Sequence, residues 1–154
     1  MGLTPYQPKH LPQILSLFYE TVHTINAADY TPAQLDAWAP AASDQARWAA
    51  SLSANFALIA EENGIITGFA DMDSTGYLDR LYVHKDYQRQ GIASQLAQAL
   101  EQHARCLCAP TVVTHASIPA RPFFEKRGYR VIREQQVCRF GQHLTNFVME
   151  LPLK

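Results

Sequence analysis

A glycine between a strand and a helix is the first feature of this sequence that could do chemistry. Residues 77–84 predict a strand, Gly91 follows a polar loop, and an apolar stripe at helical spacing begins at Ile92. The first amides of a helix have no partner within it and carry the positive end of its dipole. Because Gly91 and Ala93 are small, a ligand can approach this backbone closely. Such a turn suits a phosphate or pyrophosphate, although a glycine at this position can also simply allow the chain to turn from the strand into the helix.

Three side chains before this glycine could extend the anion site. Gln88, Arg89 and Gln90 carry amide or guanidinium donors within the same loop. No Lys-Ser or Lys-Thr pair follows Gly91, and the sequence contains no G-x-G-x-x-G run. The turn is therefore neither a nucleotide-hydrolysing P-loop nor a dinucleotide fingerprint. By themselves, these residues indicate an anion site whose ligand is open.

The remaining sequence predicts the elements that position this turn. Apolar residues at helical spacing predict a helix over 11–25, a second helix over 32–38 and a third that Ser43 caps. Asn63-Gly64 joins two strand-like runs and predicts a hairpin. Later segments predict a strand, a short helix that Gly128 ends, and two strands around Gly141. The order predicts one α/β domain with a mixed sheet, antiparallel early and parallel around the long helix.

Composition indicates an ordinary globular domain. The 154 residues are 47% hydrophobic and 18% charged, which suffices for a core and carries too little net charge for disorder. A formal charge of −1 argues against nucleic-acid or membrane-surface partners, because these need a basic field. No apolar run reaches the length of a membrane helix, and no export signal is visible. We therefore expect a cytoplasmic protein.

The cysteines and histidines do not predict a metal site. Cys106, Cys108 and the nearby His103 would form only half of one, and no second half with matching spacing follows. Cys138 leaves the cysteine count odd. We expect reduced thiols and no metal, and we expect the histidines to be structural or exposed; these are His84, His103 and His115.

The segment around Gly91 resembles the acetyl-CoA signature of GNAT acetyltransferases, in which a strand ending Leu-x-Val leads to Gln/Arg-x-x-Gly-x-Gly/Ala. Here Leu81-Tyr82-Val83 precedes Gln88-Arg89-Gln90-Gly91-Ile92-Ala93. Residues 117–129 resemble the family's second signature, Asn-x-x-Ala followed by Phe-Tyr-Glu-Lys-x-Gly-Phe. On both motifs, residues 1–154 are identified as one GNAT N-acetyltransferase domain. Residues 30–39 and 145–147 resemble a YafP-like bacterial branch.

The resemblance implies the α/β fold of GNAT acyl-CoA N-acyltransferases, a central mixed sheet flanked by helices, with acetyl-CoA as co-substrate. Amides from Arg89 to Ser94 would hold the CoA pyrophosphate, and the backbone of Leu81 and Val83 would pair with the pantetheine arm. This strand must separate from its neighbour to admit the arm. The Leu81 amide would stabilise the oxyanion of the thioester. The implied cofactor contacts are Leu81, Tyr82, Val83, Gln88, Arg89, Gln90, Gly91, Ile92, Ala93, Ser94, Ser117 and Phe124.

Direct transfer to an amine needs a base, because an ammonium group must lose a proton before attack. Asp79 is the first candidate, and strand alternation predicts that its side chain shares a face with Leu81. Asp79 could instead anchor the substrate's cation or pair with an Arg. Glu20 and His23 either face the cleft or belong to a solvated helix face.

Two positions depart from the family's pattern. Ser117 stands where an Asn often contacts CoA, and Phe124 stands where a Tyr commonly protonates the departing thiolate. A CoA thiol with a pKa of about 8.5, like that of Cys, leaves tolerably as a thiolate near neutral pH. Tyr82, Cys138 and water are the alternative acids.

The resemblance implies acetyl transfer to the amine of a small molecule or peptide. The alternative is a non-catalytic acyl-CoA-binding sensor or regulatory module, which Phe124 favours; transfer to a hydroxyl or of a longer acyl chain is a third possibility. Tyr30, Trp38 and Trp48 either pack in the core or enclose an amine by cation–π contact. A homodimer through the C-terminal strands is common in the family and is a further expectation.

Overall fold

The computed structural model describes residues 2–153, which form seven strands and five α-helices. The strands are β1 (Leu3–Pro5), β2 (Phe56–Glu62), β3 (Ile65–Met72), β4 (Tyr77–Val83), β5 (Thr111–Ser117), β6 (Arg130–Arg139) and β7 (Gln142–Pro152). The helices are α1 (Leu11–Ile25), α2 (Pro32–Trp38), α3 (Gln45–Ala54), α4 (Ile92–Cys106) and α5 (Arg121–Lys126). The strands make one sheet in the order β1-β2-β3-β4-β5-β7-β6. Among the strands of residues 2–153, only β4 and β5 pair in parallel, so the predicted mixed sheet is confirmed.

Side chains next to the early helices determine where these begin. Thr31 Oγ1 accepts from the Gln34 amide and the Gln34 side chain accepts from the Thr31 amide, a capping box that is followed by proline. The expectation that Ser43 caps α3 is wrong by one residue. Asp44 is the extended N-cap, because its carboxylate reaches the Arg47 amide at 3.1 Å.

The core lies on both faces of the sheet. α4 and α5 cover one face, where Leu96 and Leu100 are fully buried against Leu78. α1, α2 and α3 cover the other face, where Ile14 and Phe69 are buried. Each buried Leu or Phe contributes about 2 kcal/mol of transfer free energy. The sheet is therefore held between two apolar layers, and ligands can reach it only where strands separate.

β4 and β5 separate after their first two pairs of residues. The strands pair at Tyr77 with Val113 and at Leu78 with Thr114, and no pair follows. Beyond these pairs, β4 continues along β3 up to Val83, whereas β5 continues along β7. A gap therefore opens between the second half of β4 and the end of β5, as the family resemblance requires.

The described residues contain two further features that bear on the sequence expectations. None of their helices is long and apolar enough to cross a bilayer. All three cysteines are free and exposed, and His103 stacks on Phe56 with ring centroids 3.8 Å apart. Within residues 2–153, no three His, Cys, Asp or Glu side chains come together as a metal site would require.

Candidate active site

The N-terminus of α4 opens toward solvent beside the gap. Gly91 is its N-cap with φ of 84°, and no side chain caps it. A Cβ atom built on Gly91 would meet no atom within 4 Å. The first helical hydrogen bond runs from the Gln95 amide to the Gly91 carbonyl, so the amides before Gln95 have no acceptor within the helix. These amides carry the positive end of the dipole into open space.

A glycine in β3 fixes the position of this helix. A Cβ atom on Gly68 would lie 2.8 Å from Ile92 Cγ2 and 3.1 Å from Leu96 Cδ1. Ile92 is the first residue of α4 and is buried. The missing side chain of Gly68 thus lets the mouth of α4 approach the sheet next to the gap.

A β-bulge turns the backbone of Leu81 toward the gap. Leu81 pairs with Ala70 and Leu78 pairs with Met72, which leaves one extra residue on β4. The His84 amide donates to Thr67 on β3, so by alternation Tyr82 also faces β3 and Leu81 faces away. Because β5 has already separated, the Leu81 amide and carbonyl point into the gap.

The same bulge overturns one expectation. Asp79 lines a cavity on the α1–α3 face, whereas Leu81 packs against the core cluster on the α4 face. The prediction that the two side chains share a face is wrong, because the extra residue breaks the alternation between them. Asp79 is therefore on the other side of the sheet from the mouth of α4.

Two side chains already occupy the carbonyl of Val83. The Thr21 hydroxyl donates to it at 3.1 Å, and the Gln88 side-chain amide donates at 2.7 Å. Gln88 also donates to the His84 carbonyl at 3.3 Å, so this side chain braces the loop. Arg89 is exposed with a left-handed φ of 62°. Of the Val83 backbone, only the amide remains for pairing in the gap.

Two cavities meet at the gap. The smaller cavity, of about 150 Å³, lies at the gap beside the N-terminus of α4; Leu81, Ala93 and Phe124 form its wall together with Thr21 and Ile25 at the end of α1. The larger cavity, of about 700 Å³, lies between the sheet, the early helices and the β6–β7 hairpin. Tyr82 and Ser117 line both cavities. The gap therefore connects a narrow groove beside α4 with a chamber of ligand size.

The smaller cavity offers no acidic hydroxyl at the position where the family resemblance places one. Phe124 is buried there, with Tyr129 at 5.0 Å between ring centroids. The Tyr129 hydroxyl donates to Glu101. Ser117 Oγ accepts from the Ala120 amide at 3.3 Å, so this serine braces the turn into α5.

Of the alternative acids, only Tyr82 lies at the junction of the cavities. Cys138 is exposed on β6 and lines neither cavity, so the structure does not support it as an acid. Burial raises the pKa of the Tyr82 phenol, and the side chain therefore keeps its proton at neutral pH.

Arg80 is fixed by four neighbours in the wall of the larger cavity. Its guanidinium donates to Asp71 at 2.7 Å and to Ser51 at 2.7 Å, and it lies 3.6 Å from Asp79. It also lies 4.5 Å above the Trp48 ring. Asp71 is fully buried, and burial raises the pKa of its carboxyl to about 6 against the opposing effects of Arg80 and Asn55. Arg80 is thus committed to the protein.

His115 joins Asp79 in the larger cavity, which the sequence reasoning missed. The register pairs Tyr77 with Val113, so the next inward residues of the two strands are Asp79 and His115. Burial, together with the Arg133 guanidinium, lowers the pKa of His115, and the imidazole is therefore neutral at pH 7. His115 lies two residues before Ser117 on the same strand, so alternation from Ser117 is the signal that could have found it.

The early aromatic residues pack and also line the larger cavity. The Tyr30 hydroxyl accepts from the Ile118 amide and donates to the Thr145 carbonyl, joining the α1–α2 loop to β5 and β7. Trp38 lies 5.2 Å from Tyr30 between ring centroids, and Trp48 faces the protein's own Arg80. Core packing therefore explains these rings without a ligand.

Glu20 and His23 lie outside both cavities. Glu20 accepts from Ser16 and lies 3.9 Å from Lys85. His23 contacts the Ala39 carbonyl and the exposed Asp36. The interpretation of a solvated helix face is the one that this structure supports.

Comparison with known proteins places this geometry in a family. Residues 26–151 match the family model described as acetyltransferase (GNAT) domain. The chain is 34% identical over 145 residues to the uncharacterized N-acetyltransferase YafP of Escherichia coli K12, covering 94% of this chain and 91% of that protein. This similarity confirms the YafP-like branch.

Solved structures share the fold. A crystal structure from Rhodopseudomonas palustris, described as a GCN5-related N-acetyltransferase and as an aminotransferase of class II, superposes with a TM-score of 0.95 at 36% identity; 99% of this chain and 95% of that chain are covered. The putative acetyltransferase yncA from Salmonella typhimurium, solved with acetyl-CoA, superposes with a TM-score of 0.76 at 20% identity, covering 100% of this chain and 94% of that one.

Proposed function

This chain belongs to the GNAT family of acetyltransferases, and we propose that it transfers the acetyl group of acetyl-CoA to an amine held in the larger cavity. The observation that carries the proposal is the gap between β4 and β5, which joins an open helix N-terminus to a chamber on the other face. The yncA structure, which shares the fold and was solved with acetyl-CoA, supports the same ligand.

The mouth of α4 would hold the pyrophosphate. The open position of Gly91 admits a large anion, and the amides of Ile92, Ala93 and Ser94 follow it without acceptors in the helix. Gln88 would contribute to the pyrophosphate site indirectly, because its side chain braces the loop before Gly91. Arg89 and Gln90 are exposed, and their side chains could reach the phosphates.

The backbone of β4 would hold the thiol arm and the thioester. Leu81 offers an amide and a carbonyl in the gap, and Val83 offers an amide. The Leu81 amide would donate to the thioester oxygen and stabilise its charge as the amine attacks. Tyr82, Ser117 and Phe124 would line the arm.

Asp79 would accept the proton that the attacking amine releases. It stands on the inner wall of the larger cavity with its side chain 35% exposed. Neutral His115 beside it is the second candidate, because an unprotonated imidazole can accept a proton at pH 7. The new C–N bond replaces the C–S bond, and the thiolate leaves with a proton from Tyr82 or water.

Turnover with an amine library tests the proposal. We expect release of free CoA thiol that depends on both acetyl-CoA and an amine. A non-catalytic acyl-CoA sensor, which Phe124 favours, would show thermal stabilisation by CoA and no thiol release with any acceptor. This second result would refute the transferase activity, whereas the proposed binding site for acetyl-CoA would stand.

Two further properties belong to this proposal. We propose a cytoplasmic location in a bacterium, supported by three exposed thiols that a reducing compartment keeps free.

We propose a homodimer through β6, because β6 is the edge strand of the sheet and its outer backbone groups can pair with a second copy. Light scattering that finds only monomers would contradict the dimer.

A further inference from the structure

We propose that the acceptor is a small zwitterion of the amino-acid type, with an ammonium group, a carboxylate and an apolar side chain. The inference rests on the proposed function and names the substrate class of the same site. It follows from the placement of charges and rings in the larger cavity.

Two exposed guanidinium groups line the larger cavity, together with Asp44, whose carboxylate accepts from the Arg47 amide at the start of α3. Arg47 on α3 and Arg139 at the end of β6 are exposed and line the cavity. Within residues 2–153, neither forms a salt bridge, whereas Arg80 is paired with Asp71. Guanidinium groups bind carboxylates through paired hydrogen bonds, so these two can take an anionic group of the acceptor.

The wall also carries the opposite charge, on Asp79. Arg80 lies 2.7 Å from Asp71 but 3.6 Å from Asp79, so Asp71 is its main partner and Asp79 can hold an ammonium group. Tyr77 lines the same cavity. Burial, then Asp79 and Asp73, raise the pKa of its phenol to about 12, and Arg139 opposes this rise. The cavity therefore offers a carboxylate for an ammonium group and guanidinium groups for a carboxylate.

Rings form much of the remaining wall of the cavity. Phe18, Trp38, Trp48 and Tyr82 line the cavity together with Phe140. Phe140 is 82% exposed in the β6–β7 turn, at a φ of 45° that bulky residues rarely adopt. An apolar side chain of the acceptor would cover this ring. A volume of about 700 Å³ accommodates an amino acid or a short peptide.

Acetylation of three matched amines tests the charge requirement. Phenylalanine carries the carboxylate, whereas phenethylamine and phenylalaninamide lack it. The amine of phenethylamine is more basic than that of phenylalanine, and the amine of phenylalaninamide is less basic. We expect kcat/KM for phenylalanine to exceed both by about tenfold or more, as expected for a hydrogen bond between charged groups. Equal or higher values for the two analogues that lack the carboxylate would overturn the proposal.

Charge removal provides the second arm. The double variant Arg47→Ala/Arg139→Ala should lose about tenfold in kcat/KM for phenylalanine and keep its rate with phenethylamine. Arg130→Ala, an exposed arginine of β6 outside the cavity, should change neither rate. If the double variant lowers both rates alike, the proposal is wrong. Thiol release with other amines but not with phenylalanine would also refute the acceptor class while the transferase stands; no release with any amine would refute the transferase.

Discussion

The environment of Asp79 indicates which roles its carboxylate can take. It lies on the wall of the larger cavity, with Arg80 at 3.6 Å on one side and His115 on the neighbouring strand. Because Arg80 is bound more closely by Asp71, Asp79 remains able to meet an incoming amine. The same position serves a base and a cation anchor, and kinetics separates the two roles.

Asp79→Asn should lower kcat/KM more at pH 6.5 than at pH 9. At low pH most of the amine is protonated and needs a base, whereas at high pH the free amine attacks unaided. The loss at low pH should approach the range of about 10² to 10⁴ that positioned bases supply. Steady-state pH–rate profiles measure it, with the exposed Asp36→Asn on α2 as control.

Two other outcomes have distinct meanings. A pH-independent rise in KM would assign Asp79 to anchoring the substrate. A profile parallel to that of the parent, together with a low-pH loss in His115→Asn, would make His115 the base.

Asp71 makes the stability of the protein depend on pH. Burial raises the pKa of this carboxyl from 3.8 to about 6, so the folded state binds a proton that the unfolded state releases. The unfolding free energy of the parent should therefore fall as pH rises from 4 to 6. The difference in unfolding free energy between the parent and Asp71→Asn should change by up to about 3 kcal/mol over this pH range. Denaturant unfolding at pH 4, 5, 6 and 7 measures it; a constant difference between the proteins would contradict this origin.

At the scale of elements, the contact between β3 and α4 sets the position of the helix N-terminus at which we propose the cofactor site. Gly68 leaves room for Ile92 and Leu96, the side chains that hold the first turns of the helix. Any side chain at this position has to displace the end of α4. The anion site that we propose at the N-terminus of α4 is thus coupled to the packing of this helix against β3.

Gly68→Ala should destabilise the protein by about 1–3 kcal/mol through overpacking. It should also weaken CoA binding, because the added Cβ would lie 2.8 Å from Ile92 Cγ2. In a double-mutant cycle with Ile92→Ala, the combined loss of stability should be smaller than the sum of the single losses. Simple additivity, measured by chemical denaturation, would show that this contact does not position the helix.

Most elements could be predicted from the sequence because local patterns specify them. α1 begins and ends where its apolar stripe does, and Asn63 and Gly64 adopt left-handed φ angles of 53° and 79° in the predicted hairpin. The β-bulge at Asp79 could not be predicted, since it depends on how β4 pairs with β3. His115 was missed for the same reason: its neighbour is set by the register of two distant strands.

At the scale of the whole molecule, the sheet separates two binding regions and joins them at one gap. The open mouth of α4 is on one face, and the chamber with its charged and aromatic wall is on the other. In the function that we propose, the thioester and the amine meet where β4 and β5 have separated. The proposal therefore requires that the cofactor is held at the mouth of α4.

Calorimetric titration with CoA of the parent, Gly91→Glu and Gly64→Glu tests this claim most directly. Both glycines have left-handed φ, 84° and 79°, and in both cases an added Cβ would meet no atom within 4 Å, so both variants carry a similar backbone strain. Gly64→Glu, in the β2–β3 hairpin, should bind CoA with the Kd of the parent. Gly91→Glu should weaken binding by at least about 100-fold, which is 2.7 kcal/mol, because its bulk and negative charge occupy the pyrophosphate site. An unchanged Kd in Gly91→Glu would contradict the site and the transferase built on it.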